Sequence, residues 1–138
     1  MIEGSFQHEF GSNPEYKVFA PSRVNLIGDH TDYCGGECMP FATSNGTELW
    51  FSPNDSGFLE VYTDRFKERH SFSLKLEKER KKTCDWRDYV YGVLTAVSSE
   101  SKVKGGQIYV RQSLASAGLA SSASFCVGLA KILCPNLT

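Results

Sequence analysis

Between Ala20 and Gly36 the chain reads APSRVNLIGDHTDYCGG, which gathers Arg23, Asp29, His30, Thr31, Asp32 and Tyr33 around Gly28, directly after the apolar run Val24–Ile27. Carboxylates on a turn that follows a buried strand suit recognition of a hydroxyl-rich ligand. Each oxygen accepts hydrogen bonds that an apolar site cannot replace. His30 can join them through either ring nitrogen. A plainer reading of the same residues has Asp29 and Asp32 making Asx-type turn bonds, with His30 and Arg23 as surface groups.

A second candidate lies at Leu114–Ser124, LASAGLASSAS, where small and hydroxyl-bearing residues precede a helix. Gly118 lets the backbone turn where a Cβ would obstruct it, and Ala120, Ser121, Ser122 and Ala123 keep side chains short. The first turn of a helix has unpaired N–H groups and a partial positive charge, so a small-residue entry lets a phosphate approach closely. Serine hydroxyls add donors or a ligand for Mg2+. No lysine follows the glycine as the common P-loop requires, so this is not a Walker-type site. The plainer reading is a serine-rich helix start packed against a neighbour. The five cysteines (34, 38, 84, 126 and 134) are scattered. Cys34 and Cys38 lack a second pair to finish a zinc site and read as reduced thiols.

These residues need a scaffold, and the pattern supplies one. Tyr16–Ala20 alternates as a strand that Pro21 should close, and Val24–Ile27 is a second short strand stopped by Gly28. Cys38 to Phe51 is strand-like, with a hairpin expected at Asn45-Gly46. Phe58–Thr63 and His70–Leu76 look like a further strand pair, and Gln107–Arg111 another strand. Phe10-Gly11 reads as a helix end or turn. Trp86, Tyr89, Val90, Val93, Leu94 and Val97 mark one helical face, starting at Asp85 or Thr83. Phe125, Cys126, Leu129, Ile132 and Leu133 mark another, stopped by Pro135-Asn136. The run from Lys75 to Lys82 interleaves acids with bases and reads as a solvated loop or helix end. The expected fold is α/β, of the α+β type: a mixed β-sheet packed by helices.

The chain has 138 residues, 41 % hydrophobic and 22 % charged, which fits one domain and excludes disorder or a coiled coil. Fifteen Lys and Arg against sixteen Asp and Glu leave a net charge of −1. There is no global basic field for nucleic acid or an anionic membrane, and no run nears the ~20 apolar residues of a membrane span. The start has no signal-peptide pattern, so a cytoplasmic protein is expected.

Taken together and in this order, the two segments resemble a known family. APSRVNLIGDHTDYCGG is similar to the galactokinase signature, and the stretch at 114–124 to the phosphate loop of the GHMP sugar and metabolite kinases. FGSNP at 10–14 and Trp86-Arg87-Asp88-Tyr89-Val90-Tyr91-Gly92-Val93 resemble flanking galactokinase segments. The resemblance implies that Arg23 points at the transferred phosphoryl group and steadies charge near the catalytic base. It implies that Asp29, His30 and Asp32 bind the sugar hydroxyls. Gly118, Leu119, Ala120, Ser121, Ser122, Ala123 and Ser124 would cradle the ATP phosphates, with Ser122 near Mg2+ and Trp86 near the adenine. The implied reaction is transfer of the γ-phosphoryl group of ATP to the anomeric hydroxyl of galactose.

Three departures qualify it. Asp29 stands where the family usually has Glu, one methylene longer. Leu114-Ala115-Ser116 and Ala120 replace the usual entry and first serine of the phosphate loop. The chain is also less than half the family's length, and no residue matches the catalytic aspartate. Residues 1–138 are therefore expected to be part of a GHMP kinase N-terminal domain, without the C-terminal lobe and inactive alone unless a complementing polypeptide finishes the cleft. The alternatives are a non-catalytic sugar- or nucleotide-sensing module and an inactive gene remnant. The helices' apolar faces are expected to lack some partners, leaving a marginal, aggregation-prone chain.

Overall fold

The structure, a computed structural model, describes residues 2–75, 80–113 and 121–136. In chain order it contains α1 (Ile2–Phe10), β1 (Tyr16–Ile27), one 3-10 turn (Asp32–Cys34), β2 (Met39–Asn54), β3 (Phe58–Thr63), β4 (Glu68–Ser73), α2 (Trp86–Ser98), β5 (Gly105–Gln112) and α3 (Ser121–Leu133). The strands form one sheet in the order β1-β2-β5-β3-β4. All its pairings are antiparallel except β3 with β5, so the expected mixed sheet is present.

Side chains alternate across a strand, and that period sorts the core into two layers. Leu49, Phe51, Leu59, Val61, Ile108 and Val110 pack with Val90, Leu94 and Val97 of α2 and with Phe125, Leu129 and Ile132 of α3. The intervening Trp50 and Tyr109 join Phe6 and Phe10 of α1 in a second cluster. β5 is buried on both faces, which is why its residues read as a short continuous apolar run. α2 starts where its pattern placed it: the Asp85 carboxylate accepts the Arg87 backbone N–H at 2.9 Å. That satisfies one of the first-turn donors.

Two local expectations are corrected. Pro21 does not close the first strand. β1 continues to Ile27 at the sheet edge, where a missing N–H breaks no ladder on the open side. Asn45-Gly46 makes no hairpin either. Pro21 pairs with Gly46 but Arg23 with Ala42, so Thr43, Ser44 and Asn45 of β2 stand opposite the single Ser22. The turn dipeptide became a bulge. It is sealed by the Thr43 hydroxyl, which donates to the Asn45 carbonyl at 3.0 Å, and a Cβ on Gly46 would overlap the Ala20 carbonyl. Phe10-Gly11 does end a helix, as expected, although the periodicity did not show the body of α1; Gly11 (φ 70°) closes it with its N–H on the Gln7 carbonyl.

The bulge also marks where β2 loses its second neighbour. Thr47 pairs with Gln112 at the end of β5, and Ser113 then ties back to Gly46 through both its hydroxyl and its N–H. Beyond this point, among the described residues, β1 and β2 run on as a two-stranded ribbon. Its apolar residues are the uncovered ones: Leu26 is 65 %, Ile27 67 % and Met39 57 % exposed. The helices, by contrast, find their partners on the sheet within this chain. The ribbon thus carries some of the most exposed apolar side chains among the described residues, while the inner faces of the helices are covered by the sheet.

Candidate functional site

The ribbon carries the acidic loop at its tip. Gly28 has φ 87°, and a Cβ there would overlap the Glu37 carbonyl and Cys38 Cα, so only glycine lets the two ends of the loop approach. Thr31 fastens them: its hydroxyl is 2.8 Å from the Gly28 carbonyl oxygen and 3.0 Å from that of Glu37. The Thr31 carbonyl in turn accepts the N–H groups of Cys34 and Gly36 at 3.0 and 2.9 Å. A threonine does the turn's work here. Among the described residues neither the Asp29 nor the Asp32 carboxylate accepts a backbone N–H, and both residues are exposed.

His30 sits in the left-handed region at φ 63°. Its Nδ1 is 3.1 Å from the Tyr33 hydroxyl, and its Nε2 is 4.0 Å from an Asp29 oxygen. Asn25 donates to the other Asp29 oxygen at 3.4 Å. Asp29, His30 and Tyr33 therefore form one exposed polar group. Arg23 projects from the ribbon, paired by its backbone with Ala42, and it makes no ion pair among the described residues. Cys34 and Cys38 are exposed free thiols.

The second candidate is placed by the start of α3. Ser124 is buried, and its hydroxyl lies 2.7 Å from that of Thr47. Gln112 donates to the Ser121 carbonyl at 3.1 Å. These bonds dock the helix start where β2 and β5 part. Thr47 pairs with Ala20, three residues before Arg23, so about 10 Å of strand separates that pairing from Arg23. Ser122 and Ala123 are exposed there. Gly118, Leu119 and Ala120 lie outside the described residues.

An open cavity of about 630 Å³ adjoins this helix start, lined among others by Ser121, Ser122, Trp86, Tyr89, Arg65 and Phe66. Trp86 and the two serines thus share one recess. The indole is mostly core, however: it is 8 % exposed, stacks edge-on with Phe72 and donates from Nε1 to Glu68 at 3.1 Å. Arg65 and Phe66, in the turn after β3, and Lys82 line the cavity too. Sequence reasoning missed them because a lone turn arginine or lysine has no period or motif to mark it.

Two carboxylates also border the recess. Hydrogen bonds from the Arg87 side chain hold Asp85 well below the usual carboxylate range, and the Arg80 side chain does the same for Asp88. Both anions are already committed to cations and to the N-terminal end of α2. Among the described residues no three His, Cys, Asp or Glu side chains form a group fit for a metal ion. Ser122 alone offers one hydroxyl oxygen, short of the carboxylate that Mg2+ ordinarily takes from protein.

A mixed five-stranded sheet with α2 and α3 on one face, and a serine-rich helix start beside the strand ends, is the fold of the GHMP kinase N-terminal lobe. Structural similarity extends to a Methanococcus jannaschii mevalonate kinase, with a TM-score of 0.67 at 19 % identity, which bears on the fold alone. Within that class the chain is similar in sequence to the N-terminal portion of galactokinases. Residues 4–53 match the galactokinase galactose-binding signature. A galactokinase of Glaesserella parasuis is 33 % identical over 95 % of this chain and 35 % of its own length. One from Thermococcus kodakarensis is 41 % identical over 79 % of this chain and 30 % of its own. The crystal structure of Lactococcus lactis galactokinase complexed with galactose superposes with a TM-score of 0.88 at 28 % identity, covering 99 % of this chain and 38 % of that one. The chain spans about a third of the length of these curated relatives. Among the described residues no helix is long and apolar enough to cross a membrane.

Proposed function

We propose that this chain supplies the sugar-holding loop and part of the nucleotide-holding helix start of a cytoplasmic galactose 1-kinase, residues 1–138 being part of its N-terminal lobe. The supporting observation is that the galactose-binding signature match at 4–53 coincides with the ribbon and its Thr31-fastened loop. In the reaction the anomeric oxygen of galactose bonds to the γ-phosphorus of ATP. The bond from that phosphorus to the β–γ bridging oxygen breaks, and ADP and galactose 1-phosphate leave. Asp29 and Asp32 accept hydrogen bonds from sugar hydroxyls, and His30, steadied by Tyr33, adds a third contact. Arg23 offsets charge on the transferred group.

The first-turn amides of α3, with Ser121, Ser122 and Ala123, face the nucleotide's phosphates, while the expected phosphate contact from Ser124 is replaced by its buried bond to Thr47, and Trp86 borders the base. A Mg2+ ion travelling with ATP would neutralise phosphate charge, and the Ser122 hydroxyl is the group of this chain that would hold it. The base that takes the sugar proton is supplied from outside these residues, by a complementing polypeptide in the case of the chain alone.

Isothermal titration of the 138-residue chain with galactose, then with ATP, tests the reading, with ADP release followed in parallel. Saturable galactose binding that Asp32→Ala weakens at least tenfold is expected, with ADP release near background. Galactose binding that ignores Asp32→Ala, or no binding by a folded chain, would overturn it.

A further inference from the structure

At the opposite end of the sheet from the acidic loop lies a second cleft of about 380 Å³, between the start of β1, the end of α3 and the connection from α2 to β5. Its floor and walls are apolar: Val18, Phe51, Ile132, Leu133 and the ring of Tyr16. Its mouth is cationic. Lys102 and Lys104, two residues apart on the α2–β5 connection, both line it and make no ion pair among the described residues. Lys131 borders it as well, with its ammonium on the Pro135 carbonyl at 2.7 Å. No carboxylate lines the cleft among the described residues, and the nearby Glu100 borders a neighbouring recess instead.

Lys17 of β1 lines the cleft too, its ammonium 5.0 Å from the centre of the Trp50 ring. An apolar trough of ligand size with positive charge around its mouth selects an amphiphile with one anionic end. Sugars and the nucleotide base do not match it, because the floor offers them no polar partner. We propose that this cleft is a binding site for a free medium-chain carboxylic acid. The alkyl tail lies over Val18, Phe51 and Ile132, and the carboxylate lies between Lys102 and Lys104. Burial of the tail drives binding, and the two ammonium groups set its direction and exclude neutral chains of equal length.

The test is a titration of the chain with decanoate below its micelle concentration, alongside decanol, followed by NMR of methyl groups and by calorimetry. Saturable decanoate binding is expected, with shifts at the Val18, Ile132 and Leu133 methyls. Decanol should bind at least tenfold more weakly. The double variant K102Q/K104Q should lose at least tenfold in decanoate affinity while its thermal melt is unchanged, since both lysines are exposed. Equal affinity in that variant overturns the proposal. So do shifts confined to Leu26 and Ile27 on the ribbon, or association only with decanoate held in phosphatidylcholine vesicles.

Discussion

The hydroxyl of Thr47 lies 2.7 Å from that of Ser124, joining β2 to the first turn of α3 in a spot closed to water. Ser124 also donates to the Ser121 carbonyl at 3.0 Å, and Gln112 reaches Thr47 at 3.4 Å. The helix start that would face a phosphate is therefore fixed to the sheet by a small buried polar network. Gly128 completes the seating four residues on, where α3 crosses Leu49 and Ala20 so closely that a Cβ would lie 3.2 Å from the Ala20 methyl.

Thr47→Val keeps the volume but removes one member of that network. It should cost about 1 kcal/mol in urea denaturation, and Ser124→Ala a similar amount. The double variant should cost less than the two together, because neither then leaves the other's hydroxyl unpaired. Strict additivity would mean that the two hydroxyls are not coupled.

Gly28→Ala tests the loop independently of the core. The substitution forces a Cβ into the Glu37 carbonyl at a φ that other residues avoid. Because the loop sits at the ribbon's tip, the thermal midpoint should hardly move. Galactose affinity should fall at least tenfold, and the Tyr33 and His30 NMR signals should change. A variant that binds galactose normally would show that the loop closes by other means.

Acid should weaken the fold in two stages. Burial, followed by the field of Arg87, lowers the His70 pKa below its ordinary 6.5. Asp85 and Asp88 are depressed from an ordinary 3.8 by Arg87 and Arg80. In each case the unfolded chain takes up protons first, so the stabilisation is complete above the unfolded value and lost as pH falls through the folded one. Denaturation midpoints should drop slightly below pH 6.5 and further below about pH 4, with His70→Phe abolishing the first step.

Leu94 is wholly buried against the sheet, and Leu94→Ala should cost about 2–5 kcal/mol. Val127, 63 % exposed on α3, should tolerate Val127→Ala within about 0.5 kcal/mol. Equal effects would contradict the orientation of the two helices.

Replacing Leu26 and Ile27 with Lys and Thr should raise the concentration at which the chain stays monomeric in light scattering, without lowering its melting temperature. Both residues are more than half exposed, so the folded state loses little packing. A lowered melt would show that the ribbon's apolar face is covered in solution.

Much of this fold could be read from residue types. The periodic run from Trp86 to Val97 became α2 with Asp85 as its cap, because an amphipathic stripe and a short acidic cap act locally. The breaks at Pro21 and Asn45-Gly46 were misread because both residues report only a local preference. The edge position that tolerates the proline and the opposing strand that turns a hairpin signal into a bulge are set by tertiary pairing. The body of α1 was illegible for a related reason. Its buried contacts, Phe6 and Phe10, are too few to mark a stripe and have meaning only beside Trp50 and Tyr109. In the loop, the acids stood out by type, whereas the role of Thr31 depended on where Gly28 and Glu37 meet.

The bulge at Gly46 divides the β1–β2 pair into a shaft anchored in a five-stranded sheet and an outrigger that, among the described residues, has no third strand to stiffen it. Bending there strains few ladder bonds, while the knot at Thr31 travels with the tip unchanged. Shape and direction are thereby separated: the Thr31 bonds fix the form of the tip, and the bulge behind it sets the line along which the ribbon leaves the sheet.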